Sequence, residues 1–158
     1  MHVRAAMKES FDLAQWRKIK IRLRGTRRIR SGVDCSATLM AAFQTTVEGS
    51  VKILTISGRL DLQSGADFRD TLRSLTEDDE SVDLLVDLEG LDYMASAGFR
   101  ELFLAARKIS RQGGRLAVCS LRGEVKRVFE LACFDTAYPI FETRREALEF
   151  FAGPKPTR

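Results

Sequence analysis

The segment from Asp87 to Leu102 contains the residues of this sequence that most resemble a reactive site. Ser96 follows a strand-like apolar segment and comes directly before a segment with helical periodicity. A serine at such a junction can have three roles. It can be a helix N-cap, a catalytic nucleophile, or a serine that another protein phosphorylates.

The nucleophile is the least favoured of the three roles. A strand, a turn, a serine and a helix are also the layout of G-x-S-x-G hydrolases, but Met94 stands where the first glycine should be. A serine hydroxyl needs a base, usually histidine, and the only histidine is the distant His2. No glycine-rich phosphate loop and no His or Cys cluster is present, and the three cysteines share no ligand spacing. The sequence therefore predicts no catalytic residue, no metal, no cofactor and no enzyme, and it predicts reduced, structural cysteines.

From residue 47 onward, short apolar runs alternate with helix-period segments, which indicates an α/β domain. The predicted strands are 51–56, 82–88, 115–119 and 138–141, with a possible first strand at about 43–48, and the predicted helices are 67–75, 97–111, 125–132 and 143–151. Ser64 is a plausible cap of the first helix, and Thr143 with Glu146 has the spacing of a capping box. The segments predict one mostly parallel sheet of four to five strands, with about four helices packed mainly on one side.

Two loops should share one rim of that sheet. Right-handed crossovers bring the C-terminal ends of parallel strands to the same edge, where functional loops of such sheets usually lie. The loops are 57–65, which contains Arg59 and Asp61, and 90–98, which contains Ser96. Taken alone, Arg59 and Asp61 are ordinary polar residues of a surface turn, and Tyr93 and Phe99 belong at least partly to the core.

The region from about Val47 to Phe151 resembles the STAS domains, in particular the bacterial anti-sigma factor antagonists. The resemblance depends on the order and spacing of four strings: Ser57-Gly58-Arg59-Leu60-Asp61, the segment 82–98, Gly113-Gly114-Arg115-Leu116, and 125–131. The family's phosphorylation motif often reads Asp-Ser-Ser-Gly or Ser-Ser-Ala-Gly, which maps the acceptor onto Ser96. Ala95 stands where many relatives carry Asp or Ser, and Phe99 replaces the usual Leu.

The resemblance implies a STAS-like α/β fold, with one mixed, mostly parallel sheet, and a partner-switching function. Unphosphorylated, the domain would bind an anti-sigma factor of the serine-kinase type, which uses ATP and magnesium, and so free a sigma factor for transcription. Phosphorylation of Ser96 would release the partner, and a serine phosphatase would reset the switch. The implied partner contacts are Arg59, Asp61, Tyr93, Ala95, Ser96, Gly98 and Phe99. Two alternatives stay open: a STAS subunit of a transport or stress-signalling complex, and a small ligand-binding domain or enzyme that uses the same rim.

The charge distribution separates an N-terminal arm from the domain. Residues 1–39 carry ten basic and three acidic residues, whereas residues 40–158 carry 16 basic and 19 acidic ones. The arm could contact nucleic acid, could be a solvated disordered segment, or could precede a natural start at Met40. We predict a basic arm at 1–41 without assigned function, a STAS domain at 42–152 and a disordered tail at 153–158. We expect no direct nucleic-acid contact from the domain.

No apolar segment is long enough to suggest a membrane. No uninterrupted apolar run exceeds five residues, as in 39–43. A membrane span needs about 20 residues and a signal-peptide core about 7 to 15. We therefore expect a cytoplasmic protein without a membrane partner.

Overall fold

The computed structural model describes residues 40–77, 81–132, 134 and 138–155. The predicted arm, apart from its last two residues, lies outside the described residues. Within the described ranges the elements are β1 (Ala42–Glu48), β2 (Val51–Leu60), α1 (Ser64–Glu77), β3 (Asp83–Met94), α2 (Ser96–Arg111), β4 (Arg115–Cys119), α3 (Gly123–Leu131), β5 (Ile140–Phe141) and α4 (Arg144–Ala152).

The strands form one sheet in the order β1-β2-β3-β4-β5. β1 is antiparallel to β2, and every later neighbour is parallel. This sheet with its four helices confirms the predicted mixed, mostly parallel α/β fold. The possible first strand is present as β1.

The helices cover both faces of the sheet unequally. Residues that alternate along β2, β3 and β4 point to one face and pack against α4; this cluster comprises Val51, Ile53, Leu85, Ala117, Cys119, Ala147 and Phe151. Lys52 points to the opposite face, where its Nζ donates to the carbonyl oxygen of Leu75 in α1 at 3.1 Å. On α2, Lys108 Nζ donates to Thr76 Oγ1 of α1, so α2 lies beside α1.

An aromatic cluster joins α2 to α3 and to the chain that follows α3. Phe99 stacks on Phe134 with a 5.5 Å centroid distance and meets Phe129 at 5.1 Å. Tyr138 closes the cluster against Phe134 at 6.0 Å. Because Phe99 lies in the first turn of α2, this cluster holds the start of that helix in place.

β2 and β3 are longer than the sequence predicted. The predicted start of the loop at residue 57 is wrong, because Ser57 and Gly58 continue β2 and pair with Gly90 and Leu91 of β3. The register shifts on both sides of this pair, and Gly58 has a φ of 85°, which favours glycine. A Cβ on Gly90 would lie 2.7 Å from Ser57 Cβ, so glycine permits the close approach of the two strands.

Two residues of the predicted tail at 153–158, Gly153 and Lys155, make hydrogen bonds to the domain. Gly153 O accepts a hydrogen bond from Arg115 Nη1 at 2.9 Å, and Lys155 Nζ donates to the carbonyl oxygen of Ser81 at 3.0 Å. Residues 156–158 lie outside the described residues. Among the described helices, none combines the length and the apolar character needed to cross a bilayer.

Candidate functional site

The ends of β2 and β3 meet at one rim of the sheet, as the parallel arrangement predicts. Ala95 N, just after β3, donates to Leu60 O at the end of β2 at 2.7 Å. A Cβ on Gly98 would lie 2.7 Å from Leu60 Cδ2 and 2.8 Å from Met94 Cγ. Because Gly98 has no side chain, the first turn of α2 can pack directly against the ends of β2 and β3. Gly98 itself is buried beneath the rim.

Ser96 is the first residue of α2, and it is exposed. The N-cap is Ala95, which makes no side-chain cap bond but accepts a hydrogen bond from Gly98 N at 2.9 Å through its carbonyl oxygen. Within the part of the chain that the structure describes, the Ser96 hydroxyl has no hydrogen-bond partner. The N-cap role considered for Ser96 is therefore wrong, and the hydroxyl is left accessible to another protein.

We expect Ser96→Ala to change the free energy of unfolding by less than about 0.5 kcal/mol, because no capping bond is lost. Thr143→Ala is the matched control. The Thr143 hydroxyl accepts a hydrogen bond from Glu146 N in the capping box of α4, so its loss should cost about 0.5 to 2 kcal/mol. Urea unfolding measures both values. A larger loss for Ser96→Ala than for Thr143→Ala would show that Ser96 caps its helix.

Asp61 caps the start of α1, a role that the sequence suggested for Ser64. Asp61 Oδ1 accepts hydrogen bonds from Gln63 N at 3.0 Å, Ser64 N at 3.0 Å and Ser64 Oγ at 2.9 Å. Ser64 Oγ in turn accepts from Asp61 N at 2.9 Å. The bonds from Ser64 to this carboxylate lower the pKa of Asp61 below its ordinary value of 3.8.

The lowered pKa predicts how the stability depends on pH. The ionised Asp61 stabilises the folded state above pH 3.8, and this stabilisation is lost as the pH falls through the lower, folded-state pKa. Asp61→Asn should therefore melt below the wild type at neutral pH, and the difference should shrink progressively below pH 3.8. Thermal melts across that range test it. A difference that stays constant at acidic pH would contradict this role of the charge.

Arg59 and Tyr93 face each other across β2 and β3. The Arg59 guanidinium carbon lies 4.6 Å from the centroid of the Tyr93 ring, and 40% of Tyr93 is exposed. The guanidinium and the ring thus present a flat, partly apolar and positively charged surface. The structure brings Arg59, Asp61, Tyr93 and Ser96 to the same rim.

The sequence analysis missed two exposed apolar side chains at this rim. Leu62, beside Asp61 in the turn before α1, is 79% exposed. Met40, whose backbone forms an isolated parallel β-bridge with Arg59, is 72% exposed. A leucine in a turn next to a capping aspartate was a signal that could have been noticed. We name the set of Met40, Arg59, Asp61, Leu62, Tyr93 and Ser96 the rim surface.

Phe99 does not belong to the rim surface. Its side chain is only 4% exposed because it packs in the aromatic cluster between α2 and α3. The burial is not compatible with the predicted direct contact between Phe99 and a partner. Ala95 is half-buried, and it contributes mainly its backbone.

The described residues contain no group of three or more His, Cys, Asp or Glu side chains that could hold a metal ion. Burial raises the pKa of the Cys119 thiol to about 12, which keeps it protonated and unreactive. Cys35 and Cys133 lie outside the described residues. The rim surface itself offers one accessible hydroxyl at a helix N-terminus, together with the exposed ring of Tyr93 under the Arg59 guanidinium.

Comparison with protein families identifies the domain. The model of the STAS domain family matches residues 42–147, about two thirds of the chain. The chain belongs to the STAS domain family.

Two related bacterial proteins carry names that describe a function. The STAS domain is 34% identical over 73 residues to BtrV of Bordetella bronchiseptica, named as a candidate anti-sigma factor antagonist; the match covers 46% of this chain and 63% of that protein. It is 25% identical over 108 residues to the anti-sigma-F factor antagonist RsfB of Mycobacterium tuberculosis, covering 68% of this chain and 87% of RsfB. The match thus spans somewhat less than two thirds of BtrV.

Solved structures confirm the fold. An anti-sigma factor antagonist from Mycobacterium paratuberculosis superposes with a TM-score of 0.65 at 20% identity, covering 72% of this chain and 96% of that chain. Unphosphorylated SpoIIAA, an anti-sigma factor antagonist, gives 0.58 at 20% identity, covering 72% of this chain and all of SpoIIAA. The phosphorylated form of SpoIIAA, described as a Bacillus cell fate determinant, gives 0.57 at 19% identity, covering 70% of this chain and 99% of that chain. At these identities the likeness concerns the fold alone.

Proposed function

We propose that this STAS domain is an anti-sigma factor antagonist that works by partner switching. Unphosphorylated, it binds an anti-sigma factor of the serine-kinase type and so frees a sigma factor for transcription. Phosphorylation of Ser96 releases the anti-sigma factor. The observation that carries the proposal is the exposed, uncapped Ser96 hydroxyl within the rim surface.

The rim surface has the composition of a docking site. Exposed apolar side chains, Leu62 and Met40, lie near the amphipathic Tyr93 and the charged groups of Arg59 and Asp61. Interfaces combine an apolar centre with charged groups that orient the partner. The bonds from Gln63 and Ser64 all reach Oδ1 of Asp61, so the second carboxylate oxygen can accept a bond from a cationic side chain of the partner.

A phosphate at Ser96 would act on binding and leave the fold intact. It adds about 1.5 to 2 negative charges, which the amides and the dipole at the start of α2 favour. Across an interface, the same charge must lose its water or face the partner's carboxylates. Loss of affinity at an unchanged fold is the behaviour that a switch requires.

The names of BtrV and RsfB support an anti-sigma factor as the partner of this chain. The kinase activity of that partner and a serine phosphatase that removes the phosphate belong to the proposal. The domain itself would act as a regulator that does no catalysis and needs no cofactor. This function would place the protein in the cytoplasm, where sigma factors meet RNA polymerase.

Capture from the native lysate with Ser96→Ala and Ser96→Asp baits tests the proposed function. The alanine bait should retain a protein that phosphorylates the wild-type chain on serine when ATP and magnesium are added. The aspartate bait should retain much less of the same protein. Equal capture by both baits, or the absence of serine kinase activity from both eluates, would contradict the proposal.

A further inference from the structure

The outer edge of β1 has no strand partner in the described part of the chain. β1 is seven residues long and is paired on one side only, to β2. All of its residues except the half-buried Phe43 are exposed. The backbone N–H and C=O groups on the other side can therefore pair with a further strand.

β1 lacks the features that usually prevent such pairing. Its sequence, Ala-Phe-Gln-Thr-Thr-Val-Glu, contains no proline and no lysine, and two threonines and a valine favour extended structure. Its seven residues pair with β2 without a register shift, so no bulge turns the edge away. The opposite edge of the sheet is protected, because β5 has two residues and directly follows Pro139.

We propose that β1 pairs with β1 of a second copy of this chain, antiparallel about Thr45, to form a dimer with one continuous sheet. Thr45 is the central residue of β1, so this register is the one that pairs all seven residues. It places Gln44 opposite Thr46 of the second copy and Thr45 opposite its own equivalent. Threonine and other β-branched cross-strand pairs stabilise antiparallel sheets.

The same register also explains an exposed apolar side chain. Val47 is 67% exposed, and it points to the same face as Phe43, which stacks on Phe68 of α1 at 5.9 Å. In the dimer, Val47 of each copy lies opposite Phe43 of the other, an aromatic and β-branched pair. The only charged residue of β1, Glu48, lies opposite Ala42, so no like charges meet.

The proposed dimer leaves both rim surfaces accessible. Because the two β1 strands run antiparallel, the C-terminal strand ends of the two copies lie at opposite ends of the joined sheet. One dimer could therefore engage two partner molecules, one at each end. This consequence is independent of whether the partner is an anti-sigma factor.

Light scattering of the purified chain, coupled to gel filtration over a dilution series, tests the dimer. The wild type should approach about twice the monomer mass of 17.8 kDa at high concentration. Thr45→Lys should remain at the monomer mass, because it places two like charges directly opposite each other. Thr45→Val, which keeps a β-branched side chain, should behave as the wild type.

A pair of variants with opposite charges at residue 45 distinguishes loss of the dimer from loss of folding. Thr45→Lys and Thr45→Glu should each be monomeric, and an equal mixture of the two should recover the dimer mass. A wild type that stays monomeric at every concentration would overturn the proposal. So would a Thr45→Lys variant as dimeric as the wild type, which would indicate association through another surface, such as residues 1–39.

Discussion

Replacing Arg115 by methionine is expected to lower the free energy of unfolding by about 3 to 5 kcal/mol. The buried guanidinium donates to Asp83 Oδ1 at 3.2 Å and to Asp83 Oδ2 at 2.7 Å. It also donates to the carbonyl oxygens of Phe150, Phe151 and Gly153 at the end of α4. Without Arg115, the buried Asp83 charge loses its main partner, and the C-terminal end of α4 loses the hydrogen bonds that tie it to β4.

Urea unfolding of a double-mutant cycle separates the buried pair from the loss of packing. Asp83→Asn removes the charge that Arg115→Met leaves behind, so the double variant should lose less stability than the sum of the single variants. Lys155 Nζ lies 3.5 Å from Asp83 Oδ1, but it is half-exposed and cannot replace the guanidinium fork. A loss below about 1 kcal/mol for Arg115→Met would contradict the structural role of this residue.

Ser96→Asp is expected to weaken binding of the anti-sigma factor by at least about tenfold, while Ser96→Ala keeps the wild-type affinity. A phosphate carries more charge than an aspartate, so the substitution reproduces only part of the switch. The fold should not suffer, since the N-terminus of α2 favours a negative charge. Isothermal titration calorimetry measures the affinities, and thermal melting verifies the fold.

Ser110→Asp is the matched control for that experiment. Ser110 is exposed near the C-terminal end of the same helix, so the variant adds the same charge away from the rim surface. Its affinity should equal that of the wild type. Equal affinities of Ser96→Ala and Ser96→Asp would instead mean that a charge at Ser96 does not control binding.

Hydrophobic periodicity was sufficient to predict the sheet and all four described helices, and the mixed pairing followed from the family resemblance. It failed at the ends of β2 and β3, because Ser57-Gly58 has the composition of a turn while pairing with the neighbouring strand across two register shifts. It also failed to separate Ser64 from Asp61 as the cap of α1, because both residue types cap helices.

The location of the candidate site could be predicted from the sequence, but the set of side chains exposed there could be predicted only in part. The parallel strands predicted that Arg59, Asp61 and Ser96 share one rim. Whether a side chain there is buried or exposed depends on tertiary packing, which periodicity does not describe. For that reason the exposed Leu62 and Met40 were missed. The predicted contact of Phe99 came from the family resemblance, whereas the residues alone indicated a position at least partly in the core, and Phe99 lies in the aromatic cluster.

The most direct test of the proposed function compares the unphosphorylated chain with the chain phosphorylated on Ser96, each titrated into the purified anti-sigma factor. We expect tight binding for the unphosphorylated form. Phosphorylation should cost about 4 kcal/mol, which corresponds to an affinity about a thousandfold weaker. The two forms should melt at similar temperatures. Equal affinity of the two forms would contradict the phosphorylation switch and leave a STAS domain that binds its partner constitutively.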